Sequence, residues 1–386
     1  MAAWVGLVAA RGRFWDARAN RLRTPAAGDS APEVHAVVPA RNEADVIGRT
    51  LTSLIRQRYG GAFAMTLVDD RSDDGTGAIA RAVIAEHGAD ERARIVDGAP
   101  RSEGWTGKMW ALAQGVAMAR AAGARPAFWW FSDADVEHDD ATLAGLVATA
   151  QGERRDLVSQ MVALHCASPW ERLLIPAFVF FFRMLYPFAW VNDDRRATAG
   201  AAGGCVLIAD DALRGIGGIE RIAGELIDDC ALAAAVKGDG GRLWLALATT
   251  SRSVRPYASV DEIWSMVART AYTQLHHSPL LLAGTVAGMV VLYVVPPATA
   301  IAGTITRRWD LALPGALAWL LMSGAYAPTL RLYRVPRIAA LALPAAAAMY
   351  AAMTVDSARR HRAGRGGAWK GRTFSAQRAD GRRAGR

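Results

Sequence analysis

The chain has 386 residues, is 52% hydrophobic, and carries 45 Lys and Arg against 36 Asp and Glu, a net charge of +9. Its length accommodates one large domain or two ordinary ones, and its composition is too apolar for disorder and high for a purely soluble protein. The charge is unevenly placed: residues 356–386 hold ten Lys/Arg and two Asp/Glu, leaving 35 against 34 elsewhere. A nearly neutral body argues against a nucleic-acid-binding domain, and a basic tail suits anionic lipid headgroups.

Residues 1–30 begin with an apolar run of ten residues ahead of Arg11 and Arg13. That run lacks the basic start of a signal peptide and is too short to cross a bilayer. The segment reads as an apolar stub and linker, at most the remnant of an anchor helix that starts upstream. Cys166, Cys205 and Cys230 are widely spaced without a CxxC pair, which suits a reducing compartment and offers no cysteine metal site.

From residue 34 onward strand and helix patterns alternate. VHAVVPA (34–40) is a short apolar strand, and apolar residues at helical spacing follow it, with Asn42 as the expected N-cap. AMTLVDD (64–70) is a second strand, whose Ser72–Thr76 turn opens another helix. A third strand lies at 92–96, a helix at 108–122, a strand at 127–133, a helix at 141–150 and a strand at 156–164. Strands separated by helix-length connections predict an α/β domain with a mostly parallel, doubly wound, Rossmann-like sheet. Ligands bind such sheets beyond the carboxyl ends of the strands. Three polar clusters fall there: Pro39–Glu43, Asp69–Thr76 and Asp133–Asp135.

The second half is more apolar. Residues 169–191 are dense in aromatics, interrupted by Pro176 and Pro187, and carry Arg172 and Arg183, the pattern of an amphipathic interfacial segment. Residues 279–303 and 311–330 are uncharged for about 20 residues, long enough to span a bilayer. Residues 338–355 are weaker, being Ala-rich with Pro344 inside. Three spans after a cytosolic domain would put the basic tail outside, against the positive-inside preference. Arg331, Arg334 and Arg337 also favour the cytosol. Two spans with a third, interfacial or re-entrant segment are therefore expected, with the α/β domain and the tail on the cytosolic side of the inner membrane.

The polar clusters suggest chemistry. A strand ending in carboxylates, followed by a Ser/Asp/Gly/Thr turn into a helix, suits a nucleotide, with Asp70 the first choice for the base and Asp69 the second. A plain Asx-turn would also explain Ser72–Thr76. Asp133 and Asp135, one residue apart after the buried strand FWWFS, suit a hard divalent cation such as Mg²⁺ or Mn²⁺ bridging to a diphosphate. Lys108, at a helix start, suits donor phosphates. Gly203 and Gly204 allow close backbone approach to an acceptor. Asp228 and Asp229 begin a helix, where Asp229 suits a general base and N-capping is the alternative.

In order, VVPARNEADVIGRTL, VDDRSDDGT, GKMWALAQG, DAD, the paired glycines and IDD followed by Leu232 resemble the family 2 glycosyltransferases, whose fold is GT-A. IPAFVFFFRMLYP, AAGGCVLI, EIWSMVARTAYTQL and AWKGRTFS resemble a narrower group, the hopanoid-biosynthesis-associated membrane glycosyltransferases. Together these motifs cover nearly the whole chain. The resemblance implies an inverting, metal-dependent enzyme that uses a nucleotide-sugar donor. Asp70 would contact the base, with Ala40 and Glu43 lining the same pocket. Asp133 and Asp135 would form the DxD metal site, and Asp229 would be the base, with Asp228 in place of the usual Glu. Processive members carry Q-x-x-R-W, whereas here Arg269 precedes Thr270 with no tryptophan. That departure favours a single transfer to a lipid acceptor, with Arg269 left to touch diphosphate or acceptor. The expected organisation is a catalytic domain over 31–275, transmembrane or interfacial helices over 276–355, and the basic tail. The rival readings are a nucleotidyltransferase and a membrane scaffold with a decayed transferase-like domain; the intact set Asp70, Asp133, Asp135 and Asp229 opposes decay.

Overall fold

The computed structural model describes residues 1–18, 20–26 and 31–366. The basic tail beyond residue 366, with AWKGRTFS, lies outside the described residues. Eight strands form one mixed sheet: β1 (Val34–Ala40), β2 (Phe63–Asp69), β3 (Ala93–Asp97), β4 (Phe128–Ser132), β5 (Val136–His138), β6 (Leu157–Ala163), β7 (Cys205–Ala209) and β8 (Leu243–Ser253). Their spatial order is β3-β2-β1-β4-β7-β6-β8-β5.

Every residue of β1 is buried, so both of its faces are covered, the usual condition of a parallel strand inside an α/β sheet. β1 pairs in parallel with β2 on one side and β4 on the other, and β2 pairs in parallel with β3. The chain thus winds outward to β3 and returns to β4 beside β1, which makes the β1/β4 boundary the switch point where such sheets open a crevice. In β4 successive side chains face opposite sides. Trp129 packs with Val37 and Val206 in one core layer, while Trp130 packs with Val38 and Leu146 in the other. The Trp129 indole also donates to Asp210 Oδ1 at 2.7 Å. This apolar anchoring on both faces fixes the point where Asp133 leaves the sheet.

The other half of the sheet changes direction. β7 runs antiparallel to both β4 and β6, with Ser132 opposite Cys205. That pairing carries Gly203 and Gly204 to the carboxyl end of β4. β8 pairs in parallel with β6 and antiparallel with β5. It delivers the segment after Ser253 to the same edge.

Asn42 is not a helix cap. The helix Ile47–Ile55 begins five residues later with Val46 at its N-cap position. Asn42 sits in the left-handed region at φ 51°, its backbone N–H donates to Ser72 Oγ at 3.0 Å, and its Oδ1 accepts from the Asp73 N–H at 3.1 Å. It ties together the loops that follow β1 and β2.

Among the described residues, four helical segments are long and apolar enough to cross a membrane: Pro169–Val191, Pro279–Ile305, Trp309–Leu332 and Arg337–Arg362. The last is as apolar as the others, although its sequence looked weaker. The helix Pro169–Leu185 starts in a capping box between Ser168 and Glu171, with Pro169 in the first turn, and continues through Pro176. Glu171 Oε1 also accepts from the Tyr257 N–H at 2.8 Å, and Gln274 Nε2 donates to Tyr186 Oη at 2.8 Å, so both ends of this stretch are tied to the segments that follow β8. The helix Leu343–Arg362 packs along the helix Val260–Gln274, with Trp264 Nε1 donating to Asp356 and Tyr350 Oη to the Leu174 carbonyl. The opening segment joins the same bundle: Trp4 and Phe14 are buried there, and Trp4 Nε1 donates to the Leu292 carbonyl at 2.7 Å.

Replacing Trp129 by Ala removes a fully buried aromatic and leaves Asp210 without its indole donor, at an expected cost of about 3–5 kcal/mol. Thermal unfolding in detergent measures this; an unchanged midpoint would refute the anchoring role of β4.

Candidate active site

The crevice at the strand ends is lined by Pro39 near the end of β1, Ser132 at the end of β4 and Asp133 just beyond it, and by Lys108, Gly203, Asp228 and Asp229. Lys108 enters from the first turn of the helix Gly107–Ala121, which Thr106 caps by accepting from the Met109 N–H. Its ammonium lies 2.8 Å from Asp133 Oδ1 and 3.2 Å from Asp228 Oδ2. Asp228 and Asp229 open the helix Asp228–Gly238. Asp229 accepts from two backbone N–H groups, Gly203 at 2.8 Å and Cys230 at 2.7 Å.

These contacts explain why position 203 is glycine. A Cβ there would sit 2.9 Å from Lys108 Nζ and 3.5 Å from the Asp229 carboxylate. The Gly203 N–H therefore holds Asp229, while the missing side chain lets the lysine pass. Gly204 packs against Val162 and Val136, away from that contact.

The electrostatics follow from crowding. Burial and the adjacent Asp228 charge raise the Asp229 pKa to about 6, against the pull of Lys108 and its two backbone donors. Burial and the nearby Asp133 charge likewise raise Asp135 to about 6. Lys108, despite burial, is driven far up by Asp133 and Asp228 and stays charged.

On the other side of Asp133, Asp135 accepts from Ser253 Oγ and Arg255 Nε, each at 3.3 Å, and Arg255 also pairs with Glu43. Glu43, expected to line a base pocket, therefore links the β1 loop to the end of β8. Arg255 was missed in the sequence because β8 and β5 were not recognised; the one local signal was an Arg-Pro step shortly after the apolar run LWLALA. Asp133 and Asp135 fit a divalent cation as two hard oxygen donors with few other protein ligands. Among the described residues no third His, Cys, Asp or Glu joins them in a metal-sized cluster. Such an ion would be shared with ligand oxygens rather than enclosed by protein.

The residues expected to meet a nucleotide gather around the ends of β1 and β2. The Asp70 N–H donates to the Ala40 carbonyl at 2.8 Å. Its carboxylate is 1% exposed and lies 3.7 Å from the Arg41 guanidinium, which also donates to the Asp70 carbonyl. Asp69 accepts from the Ser72 N–H at 2.9 Å, and the Glu43 N–H donates to Thr76 Oγ1 at 2.8 Å. Arg269 lies on the helix Val260–Gln274 and acts on the Tyr257 hydroxyl together with Arg255 and Asp135. Among the described residues it has no side-chain hydrogen bond.

Comparison with known proteins bears on this arrangement. Residues 35–217, just under half of the chain, match the family described as glycosyl transferase family 2. This match covers nearly all of β1 and runs through β7, and it includes Asp133 and Asp135. No curated protein matches the chain significantly. Among solved structures, the mannosyltransferase PcManGT from Pyrobaculum calidifontis, solved with GDP-Man and Mn²⁺, shares 18% identity. The alignment covers 94% of this chain and 98% of that one, with a TM-score of 0.53. It supports the GT-A-like fold. S. aureus TarS (15% identity, 62% and 39% coverage, TM-score 0.40) and a mycobacterial protein (18% identity, 64% and 74% coverage, TM-score 0.42) are too distant to add to it.

Two outcomes are expected. Gly203→Ala should lower turnover at least tenfold without unfolding the protein, because the methyl group displaces Lys108 or Asp229; wild-type turnover would show that the close approach is dispensable. kcat/KM should fall as pH drops through about 6, where the raised carboxylates become protonated. A flat profile between pH 5 and 8 would remove an acid with that pKa from the reaction.

Proposed function

From the match of residues 35–217 to the glycosyl transferase family 2 model, we propose a membrane-associated inverting glycosyltransferase that moves a sugar from a nucleotide-sugar donor to a lipid acceptor. The observation that carries the reading is the geometry of Asp229, a carboxylate held by the Gly203 and Cys230 N–H groups and placed one lysine away from Asp133, where burial and Asp228 push its pKa up to about 6. A base with a pKa just below working pH remains ionised and still accepts a proton effectively.

The nucleoside lies over the ends of β1 and β2, near Ala40, Glu43, Asp69 and Asp70. Lys108 and Arg269 offer positive charge to the diphosphate. Asp133 and Asp135 would hold Mg²⁺ or Mn²⁺, which neutralises charge developing on the diphosphate leaving group. Asp229 takes the proton from the acceptor hydroxyl, whose oxygen attacks the anomeric carbon opposite the departing nucleoside diphosphate. Asp228 keeps Lys108 in place between the two acidic pairs. Attack from the opposite face inverts the anomeric configuration.

A lipid acceptor is supported by the apolar helices packed against the segments that follow β8. A hopanoid or other isoprenoid lipid is the class suggested by the subfamily resemblance, and the inner membrane with a cytosolic catalytic domain is the location that the Arg331–Arg337 charges favour.

The test screens nucleotide-sugars for nucleoside diphosphate release by detergent-purified protein, with Mg²⁺ or Mn²⁺ and with or without membrane lipid extract. Lipid-stimulated release that Asp135→Ala abolishes is the expected result. Asp229→Asn should lower turnover by about 10²–10⁴ with donor affinity largely retained. Absence of release from every donor, together with absence of metal-dependent nucleotide binding, would overturn the assignment.

A further inference from the structure

A second cavity, of about 250 Å³, lies away from the crevice, where the apolar helices meet the catalytic domain. Leu173, Tyr326, Ala339 and Leu343 form its apolar wall, and Arg172 is the charged residue on it. Val335 and Pro336 complete the wall and stand between Arg334 and Arg337, with Arg331 in the last turn of the preceding helix. All four arginines are exposed. Among the described residues none of their guanidinium groups has an ion pair or side-chain hydrogen bond.

The surroundings are apolar as well as cationic. Trp170, between lining residues Pro169 and Arg172, is 46% exposed, and Ile338, between Arg337 and lining Ala339, is 73% exposed. Exposed Trp and Ile beside unpaired arginines are what a membrane interface stabilises and water does not. The cavity lies on the catalytic side, because Tyr333 Oη, in the same arginine-bearing loop, contacts the Leu164 N–H just after β6.

We propose that this cavity binds a membrane lipid with an anionic phosphate headgroup. The headgroup meets Arg172 and the arginines bracketing Val335–Pro336, and the hydrocarbon lies against Leu173, Tyr326 and Leu343. Charge complementarity selects the anion, and the exposed Trp170 and Ile338 select a lipid over a free ion. The proposal concerns binding and stands whether or not the bound lipid is the acceptor.

The test titrates full-length protein, purified in a neutral detergent, with a tail-labelled fluorescent phosphatidic acid. Unlabelled phosphatidic acid should displace the probe. Phosphatidylcholine with the same tails should compete at least tenfold more weakly, and millimolar inorganic phosphate should not compete. Arg172→Gln should weaken probe binding about fivefold, the effect of one interfacial cation. Ala339→Phe, which fills the cavity, should abolish saturable binding; if that variant fails to fold, Arg172→Gln, an exposed position, still decides. Equal competition by phosphatidylcholine would reduce the site to apolar surface, displacement by phosphate would make it a free-anion site, and wild-type binding by Arg172→Gln would remove the arginine. Each of these overturns the proposal.

Discussion

Three carboxylates, from Asp133, Asp228 and Asp229, line one partly buried crevice with Asp135 just beyond Asp133, and the structure around them answers their mutual repulsion. Lys108 sits between Asp133 and Asp228, and Arg255 joins Asp135 to Glu43. Two cations against this many acids leave Asp135 and Asp229 with raised proton affinity. Burying charge without full compensation is unfavourable. It is sustained here by the apolar sheet beneath, above all by Trp129 and Trp130 locked into opposite core layers.

The same frame explains the mixed sheet. Parallel β1, β2 and β4 present the loops that carry Ala40, Asp70 and Asp133 at one edge. The antiparallel return of β7 brings Gly203 to that edge from the other direction. β8 then adds Arg255, so the acidic crevice is closed by residues more than 100 positions apart from those that open it.

Much of this was legible in the sequence where local pattern decides. β1, β4 and β6 fall within a residue of the stretches read from apolar runs, and the helix carrying Lys108 was marked by its periodicity. Asn42 misled because a cap-type residue before a helical pattern also suits a left-handed turn, and the Ser72 and Asp73 loop decided between them. β5 is three residues long and β8 ends in a polar TTSRS run, so neither offers a clear period; with them went Arg255. The pairing of Lys108 with Asp228, 120 positions away, is tertiary and leaves no local trace. In the apolar half, hydropathy marked the helices but could not say which would pack along catalytic-domain elements. Residues 169–185 and 343–362 do so through Glu171, Tyr350 and Asp356.

The fastening of residues 168–186 at both ends has a mechanical consequence. Glu171 grips the backbone of Tyr257 at one end, and Tyr186 takes a hydrogen bond from Gln274 at the other. A domain pinned at two points along an apolar helix cannot swing like a bead on a single tether. Its crevice is held at a fixed height over the helix surface. On the proposed reading, reach perpendicular to a bilayer, rather than shape alone, would then filter which hydroxyl groups meet Asp229.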